Sequence, residues 1–187
     1  MGLPEIPPGR WTVDPVHSYV GFVARHMMIA RVHGAFRDFS AEVTIGENPL
    51  DSKVSAVVKT DSVDSGSADR DAFIKTNDFF DVAQHPEMSF ESSSFAADGD
   101  KYTMTGDLTI NGITKPVTFD VEFDGYTGDP WGNDRAGVYA QASVNRHDWG
   151  ITWNAPLESG GVMLSDKVKL ELDLQIVKPR TETSATE

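Results

Sequence analysis

No cysteine occurs among the 187 residues. That excludes disulfide staples, thiolate catalysis and every cysteine-ligated zinc site. It suits a reducing compartment without requiring one. Positive charge is also scarce: 16 lysines and arginines stand against 29 aspartates and glutamates, for a formal net charge of -13. A surface of that sign repels phosphate backbones and anionic leaflets at long range, which argues against nucleic-acid binding and loose membrane adsorption. No apolar run approaches the roughly 18 residues a spanning helix needs. The opening stretch, MGLPEIPPGRW, has neither the basic nor the apolar segment of an export signal. Together these features predict a soluble protein of the cytoplasm with no integral membrane contact.

Chemistry-bearing patterns are missing as well. His17, His26, His33, His85 and His147 show no H-x-H or H-E-x-x-H spacing, so no metal site is expected. The glycines of ESGGVM lack the lysine and hydroxyl ending of a phosphate loop, and no G-x-S-x-G occurs. The sequence therefore carries no enzyme signature and calls for no cofactor.

What is present is a period of two. In VTFDVEFD, Val117, Phe119, Val121 and Phe123 share one face, and Thr118, Asp120, Glu122 and Asp124 the other. DKVKLELDLQI sets Val168, Leu170, Leu172, Leu174 and Ile176 against Lys167, Lys169, Glu171 and Asp173. Such alternation makes strands with one dry and one wet face. Weaker alternation marks Val20–His26, Val32–Ile45, Val54–Thr60, Glu87–Ala96, Lys101–Ile110 and Ala136–Arg146. ADGDK and INGITKP are hairpin connections, so neighbouring strands run antiparallel. Only SADRDAFIKTNDFF breaks the rhythm, with a short helix over about 69–76 capped by Ser67 or Asp69.

About eight antiparallel strands, each with one apolar face, close most economically into an all-β up-and-down barrel, with a two-sheet sandwich as the alternative. One domain over 11–177 is expected, with a proline-rich tail over 1–10 and a disordered polar tail over 178–187.

Two histidines invite a catalytic reading, but parity weakens it. His17 and His26 are nine positions apart, so on one unbroken strand they face opposite ways, roughly 30 Å apart at about 3.3 Å per residue. They form neither a dyad nor a shared metal site. Near the helix, Arg70 is either held by a neighbouring carboxylate or offers its guanidinium to an anionic or carbonyl head group. Trp149 and Trp153 belong either to the core or to a pocket wall.

Four segments, taken in order, carry a family resemblance: WTVDPVHSYVGFVARHMM with VHGAFRDF, RDAFIKTNDFFDVAQHPEMSF, GDLTINGITKPV, and AGVYAQASVNRHDWGI. Over Trp11 to about Leu174 the chain resembles the YceI-like family of polyisoprenoid-binding, lipocalin-like proteins. The resemblance implies an eight-stranded barrel around an elongated apolar tunnel that holds a long amphiphile, such as a polyisoprenoid or isoprenoid quinone. It makes Val20, Phe22, Ala24, Phe36, Phe79, Phe80, Phe90, Leu108, Phe119, Val121, Trp149, Leu170 and Leu172 the expected wall, and Arg70 and His26 the expected head-group residues. It also implies a homodimer. Where the family reads Arg-Asp-x-His-Leu, this chain has Arg70-Asp71-Ala72-Phe73-Ile74, which implies a more apolar pocket mouth. Trp149 stands where phenylalanine is common and would reshape a tunnel it faced. Two other readings stay open: an enzyme of small apolar substrates with His26 or His17 as base, and a ligand-free, stress-related barrel that contacts another protein.

Overall fold

The structure, a computed structural model, describes residues 4–180. Eleven strand segments are present: β1 (Gly9–Val13), β2 (Tyr19–His26), β3 (Ala30–Phe36), β4 (Phe39–Ile45), β5 (Lys53–Lys59), β6 (Val63–Asp64), β7 (Glu87–Asp98), β8 (Lys101–Ile110), β9 (Ile113–Gly128), β10 (Asn133–Asn145) and β11 (Leu164–Pro179). Among the described residues one short α-helix, α1, spans Ala68–Ile74. Its cap is Ser67, whose hydroxyl accepts from the Arg70 N–H.

All pairings are antiparallel, and eight segments close a ring in the order β1-β4-β5-β7-β8-β9-β10-β11, with β11 returning to β1. The expected eight-stranded antiparallel barrel is therefore the fold, and the sandwich is excluded. The remaining three segments prolong the first strands. β11 pairs with β1 near Ile176 and with β2 from Asp173 back to Leu164, so β1 and β2 lie end to end along one neighbour. In the same way β3 continues β4, and β6 continues β5.

The single strand expected over Val32–Ile45 is thus two, parted at Arg37 and Asp38. There the Arg37 N–H leaves the ladder for the Ser62 carbonyl at 3.1 Å, and the Asp38 carbonyl accepts from the Lys59 N–H at 2.9 Å. β9 begins before Pro116 instead of after it. Pro116 pairs on one side with Asp107 of β8, whereas β10 joins β9 only from Asp120 onward. The edge that lacks an N–H is an edge that needs none.

At the chain ends, β1 starts at Gly9 and Ile6 packs on a buried cluster around Trp11, so ordered structure reaches into the segment expected as an N-terminal tail. β11 runs through Pro179, and residues 181–187 of the expected C-terminal tail lie outside the described residues. Among the described residues no helix is long and apolar enough to cross a membrane.

Among the described residues two hydrophobic clusters line the inside of the barrel. The larger one includes Phe36, Met88, Phe90, Met104, Phe119 and Trp149; the smaller consists of Trp11, Val43, Ala136 and Ile176. Glycine has a defined place in the larger cluster. A Cβ on Gly34 would lie 2.3 Å from the Phe22 ring, so the ring lies across bare backbone on the paired strand. Phe90 lies over Gly106 in the same manner. Large aromatic side chains thereby stay flat against the wall and leave the axis open.

Candidate functional site

A cavity of about 520 Å³ runs inside the barrel, within the range of about 300–1,000 Å³ typical of small-molecule sites. Its wall extends from Pro4, Ile6, Pro49 and Leu50 at one end to Trp153, Met163 and Leu164 at the other. Along β11 alone the lining residues Leu164 to Ile176 cover roughly 40 Å of strand at about 3.3 Å per residue, or roughly 30 Å of axis at the tilt of a closed barrel.

Every residue expected on that wall borders the cavity. Val20, Phe22 and Ala24 come from β2, Phe36 from β3, Phe90 from β7, Leu108 from β8, Phe119 and Val121 from β9, and Leu170 and Leu172 from β11. Phe79 and Phe80 follow the helix, and Trp149 ends a 3-10 turn over Arg146–Trp149. Aromatic rings meet edge-on or tilted: Phe36 to Phe80 at 5.5 Å between centroids, Phe22 to Phe36 at 5.8 Å, and Phe90 to Phe119 at 5.5 Å. Trp149, 2% exposed, also donates its indole N–H to the Leu108 carbonyl at 3.0 Å. Core and pocket wall are here the same residue.

The arginines and the histidine that border the cavity collect at the helix end. Arg70 borders the cavity, yet its partner is Ser65 and not the carboxylate the local sequence suggested: Nε donates to the Ser65 hydroxyl at 2.8 Å and Nη2 to the Ser65 carbonyl at 2.7 Å. His26 closes β2 at the same end and also borders the cavity. His17 does not. It lies on the outside, its side chain 61% exposed, with Nδ1 2.9 Å from Asp14 Oδ2. The neighbouring anion, and not a backbone group, holds it.

Three features here go beyond the sequence reading. Phe73 reaches the cavity and joins an aromatic trio, 5.1 Å from Phe79 and 5.0 Å from Trp153. The resemblance had flagged Phe73, and Trp153 was read as core or pocket wall; Trp153 lines the pocket, but it sits in irregular chain and no periodicity brings the three rings together. Met88 and Met104 are buried wall residues, and for Met104 the alternation of Tyr102, Met104, Leu108 and Ile110 was an available signal. The third is Arg146, only 4% exposed. Its Nε donates to the Ser165 carbonyl at 2.9 Å and its Nη1 to the Ile151 carbonyl at 2.8 Å. Burial pushes its pKa down, while Asp166, 3.6 Å from Nη2, works the other way. Arg146 thus ties the 3-10 turn, the following loop and β11 together beneath the tunnel end.

The opposite end holds an outward ion network. Arg135 donates through Nε to Asp129 at 2.7 Å and through Nη1 to Asp14 at 2.8 Å and Gln175 at 2.7 Å. Donation from Arg135, then from His17, lowers the Asp14 pKa to about 2. For Asp129 desolvation acts upward, but donors from Asn133, Arg135 and the Trp131 N–H outweigh it and hold the carboxyl well below its ordinary range. No group of three or more potential metal ligands occurs among the described residues.

Comparison with known proteins agrees with this architecture. Protein YceI of Escherichia coli O157:H7 is 40% identical over 136 residues, which cover 72% of this chain and 71% of that protein. Among solved structures, BcnA of Burkholderia cenocepacia superposes with a TM-score of 0.72 at 24% identity, over 87% of this chain and 98% of that one. A polyisoprenoid binding domain from Saccharophagus degradans gives a TM-score of 0.65 at 13% identity, over 90% of this chain and 98% of its own. At those identities the two structures speak for the fold alone. The family description YceI-like domain matches residues 11–176, the span of the closed barrel, and the chain belongs to that family.

Proposed function

We propose that the barrel encloses the tail of a long apolar amphiphile, a polyisoprenoid or isoprenoid quinone, for carriage, storage or sequestration. The observation that carries this reading is the cavity itself: lined mainly by apolar side chains along its length, with the charged side chains among the described residues, Arg70 and Arg146, at the helix end. A barrel filled by its own side chains would leave no such space, which counts against the ligand-free alternative. The Saccharophagus domain of the same fold is described as polyisoprenoid binding, which favours this ligand class. Binding is favoured over catalysis, because His17 lies outside the cavity and no side chain among the described residues hydrogen-bonds the His26 ring to orient it as a base.

Tail burial dominates the energetics. Each buried CH₂ is worth about 0.8 kcal/mol, so a five-carbon isoprene unit brings several before ordering costs. A neutral head-group hydrogen bond nets only about 0.5–1.5 kcal/mol. Affinity therefore follows tail length and wall shape, and Arg70 and His26 select among head groups.

Native mass spectrometry of gently purified protein tests the reading. A lipid adduct is expected, either co-purified or after addition of a polyprenyl phosphate or a quinone. Phe119→Asp, which puts a charge on the buried wall, abolishes the adduct, whereas Arg70→Ala weakens it by no more than about tenfold. An apo mass that persists after both additions overturns the proposal.

A further inference from the structure

The β2–β3 hairpin ends in an apolar tip that points into water. Met28 is 52% exposed and Ile29 80%, and Val162, which precedes the Met163 whose carbonyl accepts the Met27 N–H at 2.7 Å, 39%. Met27 and Met28 both hold left-handed backbone, at φ 53° and 62°. Side chains with a Cβ avoid that region, and tight turns normally place glycine, asparagine or aspartate there. The β8–β9 turn does so, with Asn111 and Gly112. Folding alone gives no reason for methionines at such positions.

Charge around the tip also departs from the rest of the molecule. No acidic residue lies between Asp14 and Asp38. Arg25 and Arg31 stand directly opposite each other across the hairpin, an arrangement that repels. Neither side chain meets a carboxylate among the described residues. The bulge of β11 facing Arg25 adds Lys167 and Asp166, and Asp166 is engaged by His147 at 3.0 Å and by Arg146. His26, next to Met27, borders the cavity.

We propose that this tip, Met27-Met28-Ile29 between Arg25 and Arg31, docks the protein on an anionic lipid bilayer, so that the helix end of the tunnel faces the lipid. Exposed apolar side chains with basic flanks are what an anionic interface receives. A three-residue tip is far too small for a stable protein interface, which needs about 1,000 Å² or more. The net charge of -13 does not oppose the contact at close range, since potentials decay within a Debye length of about 8–10 Å and the tip presents its own charge first. The inference extends the lipid-binding reading but stands without it, because a barrel with an empty tunnel would dock equally.

Vesicle sedimentation tests it. Phosphatidylglycerol vesicles should pull the protein down, phosphatidylcholine vesicles should not, and added salt should release it. Replacing both Met28 and Ile29 by aspartate should reduce sedimentation to background, and Arg25→Ser or Arg31→Ser should each weaken it about five-fold. The absence of cysteine permits a second measurement: an environment-sensitive dye on Met28→Cys shifts to the blue with anionic vesicles, and the same dye on Lys101→Cys, at the far end, does not. Sedimentation that the double aspartate variant retains, or no sedimentation of the parent, overturns the proposal. So does a blue shift that follows protein concentration without vesicles, which would make the tip a protein contact. Because tunnel occupancy is read separately by mass, failure here and failure of the lipid-binding reading are distinguishable.

Discussion

The two ends of the barrel are built by different means. At the β1 end the strands close a continuous hydrogen-bonded ring, Trp11 packs 1% exposed among Val43, Ala136 and Ile176, and Arg135 links three polar partners outside. At the helix end β6 pairs only with β3, and α1 with the chain after it fills the space before β7. Aromatic side chains and single arginines do there what the ladder does elsewhere. One end is built for stability and the other carries the charged groups that border the cavity and the exposed tip; a functional change at the second need not disturb the first.

The largest test of that division is Trp11→Ala. Removing a buried indole from the sealed end should cost about 3–5 kcal/mol by denaturant unfolding, whereas Trp153→Ala at the partly exposed mouth should cost about 1 kcal/mol and alter ligand capture instead. Equal losses would erase the distinction.

Arg146→Met comes next. It strands the carbonyls of Ser165 and Ile151 and should cost about 2–4 kcal/mol, so the helix end also contains one residue on which stability depends. A loss below about 1 kcal/mol would show that the turn holds without it.

Smaller still is an acid effect confined to the sealed end. Asp14 and Asp129 have lowered folded-state pKa values. Their contribution is therefore present above about pH 4, where the unfolded carboxylates are ionised, and is lost as pH falls, for Asp14 through about 2 and for Asp129 at lower pH still. Melting temperature should drop across that window, and Asp14→Asn should be less stable at neutral pH with a shallower drop. An unchanged slope would place the acid sensitivity elsewhere.

The long strands were legible because their information is local. β9 and β11 alternate strictly, and with one face named the other follows, so Phe119, Val121, Leu170 and Leu172 read as one dry face from periodicity, while the resemblance supplied the rest of the wall. The sealed end was not legible. Asp14 and Arg135 are 121 positions apart, and no period connects them. Trp11 sits in a five-residue strand too short to alternate visibly. Arg146 looks like any surface arginine until the carbonyls it serves are brought beneath it by separate chain segments. The break at Arg37 and Asp38 escaped notice because both halves keep strand-like sequence; only their partners differ.

That the helix end is not closed by a ladder has a kinetic consequence. Among the described residues the bonds crossing the seam include those from Thr60, whose N–H goes to the Pro86 carbonyl and hydroxyl to the His85 carbonyl, and from Asn111 to the Phe79 carbonyl. Widening this rim breaks side-chain contacts and a handful of bonds, while the opposite rim keeps every rung. Amides around α1 should therefore exchange with solvent by local opening, well before those of β10 and β11, and traffic of a guest through this rim is set by that local event and not by global unfolding.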